Sequence, residues 1–216
     1  MSERAVLVET STAGLDGDLT VPDDATRGLV IFAHGSGSSR RSPRNRAVAA
    51  VLHGAGMATL LFDLLTPAEE DVDARTRRLR FDIALLAGRL YGATGWVAER
   101  AELHGLPLGY FGASTGAAAA LVAAAERPDE IGAVVSRGGR PDLAGDRLPR
   151  VEAPTLLIVG GRDTTVLELN REAAAEMKAP VQLEIVSGAT HLFEEPGALE
   201  QVATLARDWF TRYLSG

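Results

Sequence analysis

The stretch of residues 106–126, LPLGYFGASTGAAAALVAAAE, constrains the fold of this chain more than any other stretch. Its apolar first part predicts a buried strand, and its alanine-rich second part predicts a helix. Between the two lies the pentapeptide GASTG, so Ser114 stands on the turn from strand to helix. We therefore expect the strand to lie inside a sheet and the helix to pack against that sheet.

Two glycines flank Ser114 in the pattern G-x-S-x-G. A serine held in a strained backbone conformation at a strand end tolerates no side chain two positions before or after it, and Gly112 and Gly116 provide none. The helix that follows directs its N-terminal N–H groups toward negative charge that forms on a substrate of the serine. The pattern therefore predicts a nucleophile elbow. A glycine-flanked serine that caps a buried helix is the simpler alternative.

Size and composition narrow the class of protein. The 216 residues are 46% hydrophobic and 24% charged, as in ordinary globular proteins, and we expect one domain over residues 1–216. A net charge of −7 disfavours binding to nucleic acid or to a membrane surface, and the lack of cysteine excludes disulfides and a thiol nucleophile. The first residues carry Glu3 and Glu9 among few apolar ones, which is not the pattern expected of a secretory signal, and no run reaches the roughly 18 apolar residues that span a bilayer. These features predict a cytoplasmic monomer or homodimer that acts on a small molecule.

Apolar strands alternate with helical patterns along the chain. A hairpin over residues 4–10 and 15–21 opens it, and residues 64–73 form an acidic, loop-like segment that is the only room for a lid. The pattern predicts an α/β fold with a mostly parallel sheet of about eight strands, an antiparallel N-terminal hairpin, helices on both faces and little or no cap. Further strands are expected at 29–33, 57–62, 131–135, 155–159 and 181–186. Helices are expected at 45–54, at 75–103 with a break at 92–95, at 117–125, at 167–178 and at 197–214, and a loop at 136–150.

Polar residues follow several of these strands, at the edge where active sites of such sheets gather. A serine nucleophile needs a base and an acid that orients the base, and we predict the catalytic residues Ser114, His191 and Asp163. Their order along the chain, Ser, Asp, His, is that of one hydrolase fold. Two alternatives remain for the acid: Asp142 could replace Asp163, and Asp163 could merely cap the following helix.

The other acidic and imidazole groups fit this chemistry less well. Glu194 and Glu195 follow His191 too closely to approach its ring from behind. His34 is expected to support its own loop, while the two remaining histidines are expected to be solvated or to cap helices. These two are His53 and His104.

The negative charge of a tetrahedral intermediate requires backbone donors. We predict an oxyanion hole made by the N–H of Thr115, next to the nucleophile, and the N–H of Ser36, which lies between two glycines in the loop His34-Gly35-Ser36-Gly37. A phosphate-binding loop is the alternative. It lacks support, because neither G-x-G-x-x-G nor G-x-x-x-x-G-K-[ST] is present.

The motifs AHGSGSS, FGASTG, GGRD and GATH together resemble the alpha/beta-hydrolase superfamily over nearly the whole chain, and the compact layout is similar to its dienelactone hydrolase branch. Dienelactone hydrolases proper use a cysteine nucleophile, whereas this chain has Ser114. The resemblance implies a serine esterase that cleaves small carboxylic esters or thioesters without cofactor or metal. Lactonase, peptidase and acyltransferase activities share the same triad, and a non-catalytic ligand-binding protein of this fold is an alternative from another class.

Arginines cluster around the predicted site. We predict that one or two of them, with Arg40 and Arg137 as candidates, bind an anionic group of the substrate. The alternative is that arginine is simply the surface cation of this protein, since Lys178 is its single lysine. The cluster comprises Arg40, Arg41, Arg44, Arg46, Arg137 and Arg140.

Overall fold

The computed structural model describes residues 2–23 and 26–214. Residues 1, 24, 25, 215 and 216, which include both ends of the predicted domain, lie outside the described residues. The strands are β1 (Ser2–Glu9), β2 (Gly14–Val21), β3 (Gly28–Ala33), β4 (Met57–Phe62), β5 (Leu108–Ala113), β6 (Ile131–Arg137), β7 (Thr155–Gly160) and β8 (Val181–Val186). The α-helices are α1 (Pro43–Gly54), α2 (Pro67–Thr76), α3 (Ile83–Ala98), α4 (Thr115–Glu126), α5 (Thr164–Glu176) and α6 (Ala198–Leu214). Two 3-10 segments, Leu79–Phe81 and Pro141–Arg150, complete the list.

All eight strands form one sheet in the order β1-β2-β4-β3-β5-β6-β7-β8. The hairpin of β1 and β2 is antiparallel, β2 also pairs antiparallel with β4, and every other pairing is parallel. The fold class predicted from the sequence is therefore confirmed. β3 and β5 are central and fully enclosed, which is why they are continuous apolar runs rather than alternating ones.

Helices cover both faces of the sheet. One hydrophobic cluster joins the sheet to α1 and α6 and includes Val48, Leu52 and Phe210. A second cluster joins the opposite face to α3, α4 and α5, and its centre is the alanine-rich α4, whose small side chains let the helix lie close to the strands. A small third cluster of Val159, Val166 and Leu167 connects β7 with α5. Among the described residues, no helix combines the length and the apolar character needed to cross a lipid bilayer.

The segment expected to be a loop over residues 64–73 is a helix for most of its length, so that prediction was wrong. Thr66 begins α2 with a capping box: its hydroxyl accepts a hydrogen bond from the Glu69 N–H at 3.2 Å, and the Glu69 carboxylate accepts one from the Thr66 N–H at 2.8 Å. Pro67 occupies the first helical position, where its missing N–H costs nothing. These local signals outweigh the absence of an apolar stripe.

Other boundaries also differ from the sequence-based expectation. The helix expected over 75–103 begins only at Ile83 and ends at Ala98, and the helices expected at 45–54 and 167–178 are Pro43–Gly54 and Thr164–Glu176. The break predicted at residues 92–95 is absent, because α3 runs without interruption from Ile83 to Ala98. Gly92 serves packing there, since a Cβ atom at Gly92 would lie 2.7 Å from Cβ of Thr10 in the hairpin turn. The loop predicted over 136–150 is partly ordered as the end of β6 and as the 3-10 segment Pro141–Arg150, which is kinked at Gly145.

Candidate active site

The turn between β5 and α4 has the strained geometry of an elbow. Ser114 has φ 51° and ψ −121°, and its side chain forms no capping hydrogen bond with α4 although it occupies the N-cap position. A side chain at Gly112 would overlap the backbone of Ala117, and one at Gly116 would overlap the carbonyl of Ala33. The two glycines are therefore required by close backbone contacts, and the capping alternative for Ser114 is not what the geometry shows.

His191 and Asp163 are in direct contact. Nδ1 of His191 lies 2.6 Å from Oδ2 of Asp163. Asp163 occupies the N-cap position of α5 but forms no capping hydrogen bond, so its carboxylate is directed to the imidazole instead. Because a carboxylate only accepts, this contact places a proton on Nδ1 and leaves Nε2 of the neutral ring as the acceptor.

The loop that carries His191 is held at several points. The Glu195 carboxylate accepts a hydrogen bond from the Thr190 N–H at 3.0 Å. Phe193 adopts a left-handed conformation with φ 54° and buries its ring at 1% exposure. Gly138 lies against this loop, where a Cβ atom would be 3.2 Å from the His191 carbonyl oxygen. A bulky residue with positive φ is rare, so the burial of Phe193 must compensate for the strain and fixes the loop.

Residues 137–140, directly after β6, border both Ser114 and His191. The Ser114 N–H donates to the Arg137 carbonyl at 3.3 Å, and the Arg140 N–H donates to the Ser114 carbonyl at 3.2 Å. Between these two bonds, a Cβ atom at Gly138 would lie 3.5 Å from Cε1 of His191. One short segment therefore brings the elbow and the His191 loop to the same edge of the sheet.

The loop after β3 passes over the elbow. A Cβ atom at Gly35 would lie 3.1 Å from Cβ of Ser114, so this glycine permits the approach. The Ser38 N–H donates to the Gly35 carbonyl at 3.1 Å and closes a turn that exposes Ser36. Thr115, the first residue of α4, is buried beside it.

His34 supports this loop, as its sequence position indicated. Its Nε2 accepts a hydrogen bond from the Leu64 N–H at 3.0 Å, and its Nδ1 lies 3.0 Å from the Gly35 carbonyl oxygen, to which it donates. Both bonds require the neutral ring. Burial lowers the pKa of His34, against smaller opposing effects of the Gly35 carbonyl and of Asp63.

A cavity of about 450 Å³ opens beside Ser36 and Thr115. One wall is apolar and is made by Leu64, Leu65 and Leu86. The remaining lining comes mainly from the loop after β3, from the start of α1 and from α2, and it carries serine hydroxyls and charged groups of both signs. The charged lining residues are Arg41, Glu70, Asp73 and Arg80.

The charges of this cavity are balanced within the protein. Asp73 is buried and accepts hydrogen bonds from the N–H groups of Leu79 and Arg80 at 2.8 and 3.1 Å and from Nε of Arg80 at 2.5 Å. Burial raises the pKa of Glu70, and the neighbouring Asp63 and Asp73 raise it further. Sequence reasoning missed Asp73 and Arg80, since the helix that carries Asp73 was taken for a loop.

The other acid candidate and the first arginine candidate are engaged elsewhere. Asp142 forms a two-point ion pair with Arg140, at 2.8 Å from Nε and 2.7 Å from Nη2. The Asp63 carboxylate accepts a hydrogen bond from the Arg40 backbone N–H at 2.7 Å and also contacts the Arg40 guanidinium. Two carboxylates of β2, those of Asp16 and Asp18, lie within 3.7 Å of the same guanidinium. Arg40 is therefore held in a carboxylate cluster and does not line the cavity. Asp63 was also missed, although its place directly after β4 is a signal that could have found it.

The remaining histidines lie away from the elbow. Nε2 of His53 is 2.7 Å from the Thr59 hydroxyl and half-buried, and burial lowers its pKa against the opposing charge of Glu3. The expectation of a merely solvated or capping His53 was therefore wrong. His104 is exposed in a turn after α3.

Arg137, the second arginine candidate, has a different environment from Arg40. Its side chain is buried at 9% exposure, and its Nη1 atom has no hydrogen-bond partner. Within residues 2–23 and 26–214 no carboxylate pairs with it. Burial, together with the neighbouring Arg44, lowers the pKa of Arg137 to about 10, so it remains a cation at neutral pH. Arg44 itself contacts Glu194, with 3.3 Å between Nη1 and Oε1.

Comparison with known proteins agrees with this architecture. A family model described as an alpha/beta hydrolase domain matches residues 26–206. The crystal structure of a dienelactone hydrolase from Anabaena variabilis is 60% identical, with a TM-score of 0.96 over 99% of this chain and 98% of that chain. Est1E from Butyrivibrio proteoclasticus shares the fold at 17% identity, with a TM-score of 0.79 over 96% of this chain and 98% of that chain. The chain belongs to the alpha/beta hydrolases, and within them to the dienelactone hydrolase-like branch.

One relative has a name from another class of enzyme. A Mycobacterium tuberculosis protein provisionally named a phosphoribosyl transferase is 62% identical over 216 residues, which is 100% of this chain and 48% of that protein. The chain thus spans about half the length of the curated relatives that it matches at this identity. The name of the longer protein describes that protein, and half of that protein has no counterpart in this chain.

Proposed function

We propose that this chain is a serine hydrolase that cleaves small carboxylic esters or thioesters. The observation that carries the proposal is the contact of 2.6 Å between Nδ1 of His191 and Oδ2 of Asp163. Neither Asp163 nor Ser114, which has φ 51°, forms a capping hydrogen bond with the helix that it precedes. Two side chains of good capping residues are thereby diverted from local bonds. A nucleophile, a base and an orienting acid account for both diversions.

The reaction that we propose has two steps. His191 Nε2 removes the proton of the Ser114 hydroxyl as the oxygen attacks the ester carbonyl, and the same proton is returned to the leaving alcohol or thiol. Water then hydrolyses the acyl-enzyme by the same route. Asp163 holds the proton on Nδ1 and stabilises the imidazolium that forms in each step.

We propose the N–H groups of Ser36 and Thr115 as the oxyanion hole. The exposed turn at Ser36 and Thr115, the residue after Ser114, both line the 450 Å³ cavity. A pocket of this size and mixed polarity suits a short acyl or alcohol group. Loss of one such donor typically costs about 2.7 to 4 kcal/mol of transition-state stabilisation.

Matched variants test this function on short p-nitrophenyl esters. Ser114→Ala is expected to abolish hydrolysis and labelling by a fluorophosphonate, and Asp163→Asn to lower kcat by up to about ten-thousandfold because it favours the wrong tautomer of His191. Asp142→Asn removes the rival carboxylate and is expected to leave kcat nearly unchanged. Hydrolysis that survives Ser114→Ala would overturn the mechanism. A wild-type protein that is folded but neither labelled nor active would instead favour a non-catalytic ligand-binding role.

Phosphoribosyl transfer is not the activity that we assign to this chain. The loop of residues 34–37 exposes a serine between glycines but lacks both nucleotide fingerprints, and it lies against Ser114 as an ester-cleaving site requires. The part of the longer relative that this chain does not match leaves room for that activity elsewhere in the relative.

A further inference from the structure

The two glycines that follow β6 form a part of the site that has no side chains to hold it. Gly138 has φ 52°, a conformation that glycine adopts without strain. A Cβ atom at Gly139 would lie 1.9 Å from Oγ of Ser136 and 2.6 Å from Cβ of Ala117, so no larger residue fits there. The Gly138 N–H donates to the Ile158 carbonyl at 2.8 Å, which leaves Gly139 to be fixed by another element.

The position of these glycines matters for the proposed triad. A Cβ atom at Gly138 would lie 3.5 Å from Cε1 of His191, and the N–H of Arg140 donates to the Ser114 carbonyl at 3.2 Å. A shift of the glycine pair would therefore change how the imidazole is held relative to the elbow. Displacement of reacting groups by about 1 Å can cost about a hundredfold in rate.

Asn170 of α5 holds this segment from outside. Its side chain is completely buried, at 0% exposure, and its Nδ2 amide donates to the Gly139 carbonyl at 3.0 Å and to the Val166 carbonyl at 2.8 Å. Both partners only accept, so they require the amide nitrogen rather than its oxygen at this place. Asp163 is the N-cap residue of α5, and Asn170 lies two helical turns further on. One helix and its N-cap thus provide both the acid that contacts His191 and the amide that contacts the neighbouring glycine segment.

Stability alone does not account for Asn170. Its Oδ1 atom is buried and has no hydrogen-bond partner. A buried polar atom without a partner is destabilising, and an apolar side chain of similar volume, such as leucine, would avoid it. The bond that the amide donates outside its own helix, to Gly139, offers the reason for a polar side chain here.

We propose that Asn170 is a positioning residue of the hydrolase: through the Gly139 carbonyl it fixes residues 137–140 against His191 and Ser114. It acts through this segment and not by contact with the substrate, since Asn170 does not line the 450 Å³ cavity. The proposal rests on the proposed hydrolase function. It predicts that kcat depends on the Asn170 amide, whereas KM does not.

Asn170→Leu and Asn170→Ser test this role on short p-nitrophenyl esters. Leucine removes the amide and keeps most of its volume. The serine hydroxyl can bond to the Val166 carbonyl within its own helix but is too short to reach Gly139. Both variants are expected to lower kcat by about tenfold to a hundredfold and to leave KM nearly unchanged.

Thr155→Val is the matched control. The Thr155 hydroxyl is as fully buried as Asn170 and donates to the Ala153 carbonyl at 3.0 Å, at the end of β7 that is far from Asp163. Its loss removes a buried hydrogen bond without touching the glycine segment. The control is expected to lower the urea midpoint and to keep the wild-type kcat.

Nuclear magnetic resonance of the histidine rings gives a measurement that does not depend on activity. The Cε1–H signals of the four histidines are assigned from variants that each lack one of them. Asn170→Leu is expected to shift the signal of His191, whose Cε1 lies beside Gly138, and to leave the other three signals in place. A purely structural role for Asn170 predicts no such selective shift.

Three results would overturn the proposal. These are a folded Asn170→Leu protein with wild-type kcat and an unmoved His191 signal, an equal loss of kcat in Thr155→Val, and a change in KM alone. If Asn170→Leu does not fold, Asn170→Ser decides by the same criteria. Should the wild-type protein neither cleave esters nor react with a fluorophosphonate, the hydrolase function fails separately, and the ring signals still decide: a shift confined to His191 supports the positioning role, and an unmoved signal removes it.

Discussion

Ser114 and Asp163 each stand at the N-cap position of a helix, and neither side chain forms a capping hydrogen bond. Loss of a cap typically costs about 1 kcal/mol, so each residue gives up local stabilisation. The sequence could locate both residues, because glycines and apolar strands precede them. It could not decide between capping and the proposed catalysis, because both roles place the same residue types at the same turn; the contact of Asp163 with His191 is what favours the catalytic proposal.

The arginines show a different limit of prediction at the scale of residues. Arg40 and Arg137 were equal candidates in the sequence, since both follow strands that end near the site. Their difference depends on partners far along the chain: Asp63 and two carboxylates of β2 surround Arg40, whereas none pairs with Arg137 in the part of the chain that the structure describes. No local pattern encodes this contrast.

His34 makes the stability of the protein depend on pH. The folded state keeps this ring neutral and lowers its pKa, while the unfolded chain titrates near pH 6.5. The unfolded state therefore binds more protons below pH 6.5, so the stabilisation is fully present above that pH and is lost as the pH falls toward the folded-state pKa. We therefore expect the contribution of His34 to the free energy of unfolding by urea to fall as the pH is lowered through the unfolded-state value of about 6.5.

His34→Gln isolates this contribution, because an amide can still accept from Leu64 but does not titrate. The variant is expected to lose less stability than wild type over the same pH range. His53→Gln is the matched comparison, and it should have a smaller effect because His53 is only half-buried. Identical pH dependence in wild type and His34→Gln would contradict the neutral, hydrogen-bonded state of this ring.

Among the elements, α2 is the one whose nature sequence reasoning missed. Helix periodicity needs an apolar stripe, and α2 buries only Asp73. The helix is instead fixed by polar bonds: Glu69 completes the capping box with Thr66 and also accepts a hydrogen bond from the buried Arg89 at 2.6 Å. Arg89 in turn donates to the Thr12 hydroxyl at 2.6 Å and so connects α2 with the hairpin turn. The capping box was readable in the sequence, but the distant partner Arg89 was not.

Removal of the Glu69 carboxylate should loosen α2 and leave Arg89 unpaired. Glu69→Ala is expected to lower the free energy of unfolding by about 3 kcal/mol, the low end for breaking a buried pair because Glu69 is partly exposed. It should also raise KM, since α2 forms one wall of the cavity. Glu69→Gln, whose single amide oxygen can still accept one of the two bonds, should cost less. The neighbouring Glu70→Ala should stay within about 0.5 kcal/mol in urea unfolding. Equal losses for Glu69→Ala and Glu70→Ala would refute this account.

At the scale of the whole molecule, the architecture was the most predictable feature. Buried parallel strands are continuous apolar runs that end in glycine or polar residues, and such signals are local in sequence, so β4 and β8 were predicted with the observed bounds. The order of strands in the sheet depends on pairing between distant segments, so no single segment of the sequence indicates it. Helix boundaries were less certain where glycines lie inside a helix, as in α3.

We propose that residues 1–216 form one cooperative domain, although the relatives at 62% identity are about twice as long. One sheet separates the two large hydrophobic clusters, and each of them contains one of the two tryptophans: Trp96 of α3 lies on one face and Trp209 of α6 on the other. Both clusters are built on the same strands, so loss of either one would remove the support of those strands for the other, and both should unfold together. In urea, Trp96→Phe and Trp209→Phe leave one fluorescent reporter each. The fluorescence midpoint of each variant is expected to coincide with its own midpoint by far-UV circular dichroism, whereas a tryptophan that unfolds before the helices would show that one face opens independently and that the chain is not a single cooperative unit.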